Sequence, residues 1–220
     1  MGKANDPSQK GLSGKIGNLV YYQRNGETYV RAAPGKQSKA TKAKTSEPKR
    51  ISQDVVRQTH AFLKNYKHLV RFGYQEHAVG AKTAYHRAAS YTIKNSFDYQ
   101  PESAWKVLDI SKVRISLGDL TGPEQAAAFR EGTGVRFTWR DNSWEGSAKP
   151  SDEAFVVLIH ESRVGSRFVY QGCRRSERSH FLNLVGADPN TRWHAFLAFS
   201  QINEYSKKRF LSNSVYLGEV

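Results

Sequence analysis

The chain has 220 residues, with 34 Lys plus Arg against 20 Asp plus Glu and a formal net charge of +14. Aromatics at 12% supply bulk for a core, the single Cys excludes an internal disulfide framework and a Cys-based zinc site, and no apolar run has the length of a membrane helix. The N-terminus, MGKANDPSQKGLSGK, carries no apolar signal core and no Ser or Thr at its sixth position for myristoylation, so the expectation is a basic cytoplasmic protein with no membrane partner.

The charge is unevenly spread. Residues 1–50 hold eleven Lys or Arg and three acids, residues 51–100 seven and three, and residues 101–220 sixteen and fourteen. A localised excess points to a polyanionic partner, whereas an even one implies little beyond solubility.

In chain order, the first element is a β-hairpin, within residues 1–34. Lys15–Arg24 and Glu27–Arg31 flank Asn25-Gly26, a dipeptide suited to the two positive φ angles of a type I′ loop. A two-residue loop sets the register: Arg24 faces Glu27, Gln23 faces Thr28, Tyr22 faces Tyr29 and Val20 faces Arg31. Tyr22 and Tyr29 then share the face expected to bury, and Tyr21, on the opposite face, is the aromatic expected to remain open for stacking. A two-stranded hairpin is marginal alone, so it must dock on something.

Residues 35–46 read as a basic linker. Lys36, Lys39, Lys42 and Lys44, followed by Lys49 and Arg50, are broken only by Glu47, with no large apolar residue between them. Such a stretch cannot bury enough surface to offset its conformational entropy. It is either a solvated linker or a polyanion-binding arm.

Residues 47–98 read as a helical pair. Ile51, Val55, Phe62, Tyr66, Leu69 and Val70 recur at three- and four-residue spacing, predicting an amphipathic helix over 47–71 with Ser46 as N-cap and Pro48 in its first turn. Ala81, Ala84, Tyr85, Ala88, Ala89 and Tyr91 predict a second helix to about residue 94, with Lys64, Lys67, Arg71, Lys82 and Arg87 outermost.

From Trp105 the period changes to two. Strands are expected at 105–117, 133–140, 154–161, 166–174, 179–185, 192–201 and 208–218, separated by turn-rich segments. This predicts an immunoglobulin- or fibronectin-like antiparallel β-sandwich over 105–220, with Trp139 and Trp193 in the inter-sheet core. The fold class expected is mainly β with a helical insert.

The residues that carry chemistry are sparse. The seven His (60, 68, 77, 86, 160, 180 and 194) show no metal-ligand spacing, and no nucleophile elbow, Walker loop or dinucleotide glycine pattern occurs. Cys173 precedes Arg174 and Arg175, but a phosphatase loop places Arg six positions after its Cys, and residue 179 is Ser. Glu145, Asp152 and Glu153 fall at expected turns, where carboxylates are ordinarily solvated. No catalytic residue, metal or cofactor is expected. Binding is better served: Lys15, Arg24, Arg31, Lys36, Lys39, Lys42, Lys44, Lys49 and Arg50 suit phosphates, and Tyr21 suits a base face. With no helix-turn-helix, zinc-finger or RNA-recognition signature, that binding is expected to ignore sequence. The alternative is a protein–protein assembly module, in which the arm meets an acidic protein surface and the hairpin adds strands to a partner sheet.

Gly11-Leu-Ser-Gly-Lys-Ile-Gly-Asn-Leu-Val-Tyr-Tyr-Gln-Arg-Asn-Gly26, followed by Tyr29-Val-Arg31 and Pro34, resembles the opening of an uncharacterised family of Bacteroidota and their phages, which begins Ser-Gly-Lys-Val-Gly-Asn-Val-Val. Gln53, Arg57 and Phe62 on the first helix, Gly73, Trp139 before Asp141-Asn142, the run from Trp193 to Phe199, and Ser214-Val-Tyr-Leu-Gly218 are similar to the rest of it. The basic linker is longer than that family's spacer. The resemblance implies architecture and a virion connection, as a component of a phage-like particle, and it supplies no catalytic residue.

Overall fold

A computed structural model describes residues 2–4, 6–24, 26–36, 38, 45–80, 82–100, 105–188 and 191–220. The chain divides into two compact units, 1–50 and 51–220.

The first unit is a four-stranded antiparallel sheet. β1 (Gly2–Lys3), β2 (Gly14–Ile16), β3 (Leu19–Arg24) and β4 (Glu27–Ala32) lie in the order β1-β4-β3-β2. The β3–β4 register is the expected one, with Tyr22 opposite Tyr29 and Arg24 opposite Glu27. Asn25, assigned to that loop, lies outside the described residues. The expected long first strand is instead two. Gly17, at φ 58°, takes the left-handed conformation that a two-residue hairpin loop needs, so the chain folds back between Ile16 and Leu19. The hairpin thus gains an extra strand on each side.

The second unit is mainly β, with helices α1 (Glu47–Asn65, which begins in the first unit), α2 (Lys67–Gly73) and α3 (Ala84–Asn95). The single helix expected over 47–71 is broken at Tyr66, whose φ and ψ of −114° and 24° leave the helical region. The strands are β5 (Phe97–Gln100), β6 (Trp105–Leu108), β7 (Glu124–Glu131), β8 (Gly134–Arg140), β9 (Glu153–His160), β10 (Ser166–Val169), β11 (Ser179–Asn183), β12 (Trp193–Ile202), β13 (Arg209–Leu211) and β14 (Val215–Glu219). They form several small antiparallel sheets. One runs β10-β9-β12-β13 with β14 also on β12, one runs β11-β8-β7, and β5 pairs β6.

The larger sheet is covered on both faces. Val156 and Leu158 of β9 and Trp193, Leu197 and Phe199 of β12 pack with Val135, Phe137 and Trp139 of the β11-β8-β7 sheet. Phe155, Val157 and Ile159, with Phe196 and Ala198, pack on the opposite side with Phe62, Leu63, Leu69, Val70 and Ala88 of the helices. A two-layer sandwich leaves its outer faces to solvent; here the helices form a third layer. The physical reason is that β9 and β12 are apolar at both parities, so either face exposed would leave large side chains in water. The 47–98 segment therefore shares a core with the sheet. Gly73 lets this packing close, because a Cβ there would stand 2.0 Å from the Ile115 carbonyl oxygen.

Candidate nucleic-acid interface

The two faces of the first unit's sheet differ in cover and in chemistry. One face carries Tyr21, Thr28 and Val30. Tyr21 and Thr28 are buried, the Ala4 N–H donates to the Thr28 carbonyl at 3.0 Å, and the Gly11 N–H donates to Thr28 Oγ1 at 3.1 Å, so the polar stretch from Ala4 to Gly11 is tied to this face at both ends. The expectation that Tyr21 stays open to stack on a base is therefore corrected: alternation along β3 points its ring into the covered face.

The other face carries Lys15 and Val20, Tyr22 and Tyr29, Arg24 and Glu27, and Arg31, each pair set side by side by the register, with Lys3 opposite Tyr29. Tyr22 and Tyr29 were expected to bury as core. They are instead only half-buried and lie stacked, with ring centroids 5.8 Å apart and planes 20° apart. Lys3, Lys15 and Arg31 are exposed and Arg24 half-exposed. The acid on this face, Glu27, meets Lys3 Nζ at 3.1 Å. Four cations thus surround two aromatic rings on one surface. Lys3 carried no signal in the sequence, since its strand is two residues long and gains its place only by pairing with β4.

The remaining expected contacts are not on this face. Lys36 follows β4, and Lys49 and Arg50 lie in the first turn of α1, all exposed. Lys39, Lys42 and Lys44 lie outside the described residues.

In the second unit, Cys173 Sγ stands 3.2 Å from His180 Nδ1. Burial and the nearby Glu177 push the thiol's pKa up, and burial pulls that of His180 down, so the pair rests as neutral thiol and neutral imidazole rather than as an activated thiolate. A cleft of about 930 Å³ is lined by Glu76, His77, Asp119, Lys207 and Lys208. Burial raises the Glu76 pKa, and its carboxylate accepts the Leu211 N–H at 2.9 Å. Charges of both signs line this cleft, which favours neither a strong anion nor a strong cation. Among the described residues, no group of three or more His, Cys, Asp or Glu is placed to hold a metal ion, and no helix is long and apolar enough to cross a membrane.

One carboxylate expected at a solvated turn, Asp152, belongs to the interior, and a second, Glu153, is partly covered. Asp152 is fully buried and accepts from Arg175 Nε at 3.1 Å, from the Lys149 N–H at 2.9 Å and from Gln201 Nε2 at 2.9 Å. Arg175, equally buried, donates also to Asn142 Oδ1 and to the Thr121 and Gly122 carbonyls, and its guanidinium lies 3.8 Å from the Phe199 ring centre. Glu153 begins β9 and meets Arg209 Nη1 at 2.9 Å. Glu145 remains half-exposed and pairs with Arg140. This Arg–Asp pair uses its polar atoms within the fold.

A model of a family of unknown function (DUF6266) matches residues 11–218. No curated protein and no solved structure matches the chain.

Proposed function

The chain belongs to the DUF6266 family, whose function is unknown, and from the chain's own geometry we propose that it is a non-enzymatic basic structural protein that binds nucleic acid, without sequence preference, through its N-terminal half. The observation that carries this reading is the gathering of Lys3, Lys15, Arg24 and Arg31 around Tyr22 and Tyr29 on one sheet face. Phosphate contacts need cations that follow a backbone, and an open sheet face supplies them without reading base edges. Lys36, Lys49 and Arg50 are further exposed cations of the N-terminal half. The protein's place as a component of a phage-like particle, in cytoplasm or virion, belongs to the same proposal. So does reading the two facing sheets of residues 105–220 as an immunoglobulin-like scaffold.

A titration of full-length protein with labelled polynucleotide across a salt series tests it. Log K should fall linearly against log salt, with a slope of about −4 to −6 on duplex DNA, and deletion of residues 35–50 should remove only the share that Lys36, Lys39, Lys42, Lys44, Lys49 and Arg50 supply, leaving the share of the sheet face. Undetectable binding of both DNA and RNA at low salt overturns the reading.

One observation favours the second reading, a protein–protein assembly module. Trp144 is 77% exposed on the loop after β8, a position at which a large aromatic contributes only when a partner covers it. Light scattering on the eluted protein tests this: a strict monomer, recovered without companions, counts against it.

A further inference from the structure

Resting on the nucleic-acid reading, we infer that the ligand of the Tyr22–Tyr29 face is an unpaired polynucleotide strand, its bases stacked on the phenol rings and its phosphates met by Lys3, Lys15, Arg24 and Arg31. The argument begins with what each form of nucleic acid leaves open. In a duplex every base face is covered by its neighbours, and only groove edges and phosphates remain accessible. In an unpaired strand the base faces are open, and stacking on an aromatic side chain is the sequence-tolerant contact they offer. Two parallel phenol rings, half-exposed at the middle of a sheet face, give nothing to a duplex and a stacking surface to a strand.

The charges fit the same ligand. Arg24 is two residues from Tyr22 on β3, and Arg31 is two residues from Tyr29 on β4, so each guanidinium rises from the same face about 6.8 Å along the strand from a ring. That is within the reach of an extended Arg side chain to the phosphate of a stacked nucleotide. Lys15 lies beside Val20 and Lys3 beside Tyr29, placing cations on both sides of the aromatic pair. Glu27 sits at the loop end of the face, against Lys3 and opposite Arg24, so Lys15 and Arg31 are the cations away from an acid. Phosphate and base face are common to deoxy and ribo strands, so the contacts named here hold either.

The test uses the full-length protein and labelled oligo-dT of roughly 12 nucleotides, a length within the range that single-strand-binding sheets cover. Its comparators are oligo-rU of that length and a duplex of that length. The strand is expected to bind at least about tenfold more tightly than the duplex, with oligo-dT and oligo-rU within about fivefold of each other. The double variant Tyr22→Leu/Tyr29→Leu is expected to lose about tenfold or more on the strand while its salt slope stays unchanged, whereas Tyr22→Phe/Tyr29→Phe keeps strand binding. Lys15→Gln/Arg31→Gln is expected to flatten the slope by about 1.4, since each phosphate contact on a single strand contributes about 0.7. The Phe and Gln variants keep the question answerable if the Leu variant fails to fold. Equal affinity for strand and duplex, or a Phe variant as weak as the Leu variant, overturns the stacking assignment and leaves sequence-independent binding standing. Failure of all three ligands to bind overturns the nucleic-acid reading as well.

Discussion

The two units treat their sheets differently. In the second unit the central strands β9 and β12 are apolar at every position from Ala154 to Ile159 and nearly so from Trp193 to Phe199, and both faces are covered. In the first, β3 and β4 present Tyr21, Thr28 and Val30 to one side and cations with two tyrosines to the other, and the first side holds the buried residues. A strand that is apolar at both parities has no face left for a ligand. One that alternates keeps a face less covered, and here that face carries Lys3, Lys15, Arg24 and Arg31. Most of the burial therefore sits in the second unit, and the proposed binding chemistry lies in the first.

The largest effect that would sharpen this contrast comes from Arg175→Leu. The substitution leaves the Asp152 carboxylate fully buried without its cation, a change that costs about 3–5 kcal/mol. All four Trp lie beyond residue 100, so urea unfolding followed by Trp fluorescence reports the second unit alone. An unshifted midpoint would break the argument that this pair is part of the core. Leu158→Ala, at a site with no exposure, is expected to cost about 2–5 kcal/mol in the same measurement. In the first unit, Thr28→Val removes the acceptor of the Gly11 N–H at a cost of about 1 kcal/mol, read as faster amide exchange at Gly11 and Tyr21. Faster exchange confined to Gly11 would show that the stretch from Ala4 to Gly11 does not protect Tyr21.

Much of this contrast was legible in the residues, and the failures have common physical causes. The β3–β4 register followed from Asn25-Gly26, because a two-residue loop leaves no freedom in the pairing. Which of its two faces would bury was not legible. Alternation separates Tyr21 from Tyr22 but does not say what covers either, and the stretch that reaches Thr28 at both of its ends, Ala4 to Gly11, is polar and without period. β7 was missed because Glu-Gln-Ala-Ala-Ala-Phe-Arg-Glu favours helix; it is a strand because β8 pairs with it across the Gly132-Thr133 turn. Asp152 read as a solvated carboxylate because its pairing with Arg175 spans 23 residues and leaves no local mark. The candidate face is recovered for Arg24 and Arg31, whose place the β3–β4 register dictates, and lost for Lys15, which a single strand over 15–24 would put on the Tyr21 face, and for Lys3, whose place depends on a remote strand.

The smallest expected effect is one of pH, and it too divides the units, since all seven His lie beyond residue 50. Burial lowers the pKa of His194 from its ordinary 6.5, with Glu219 opposing and Arg163 and Arg192 assisting, and Tyr216 Oη lies 3.0 Å from its Nδ1. Burial lowers His180 likewise, against the pull of Glu177. A folded-state pKa below the unfolded one means that the unfolded chain binds more protons in the interval between them. The stability these groups contribute is therefore present above pH 6.5 and lost as pH falls from there towards the folded pKa. Glu76, whose pKa burial raises above its ordinary 4.5, acts in the opposite sense lower down, because there the folded chain binds more protons. The unfolding midpoint followed by Trp fluorescence should decline on acidification from pH 7, and His194→Phe should reduce that decline. Amide exchange at Tyr21 and Val30, corrected for the intrinsic pH dependence of exchange, should hold steady over the same interval, because no His lies in the first unit. A midpoint that does not move with pH, or a first unit that loosens in step with the second, would show that the two do not respond separately to protons.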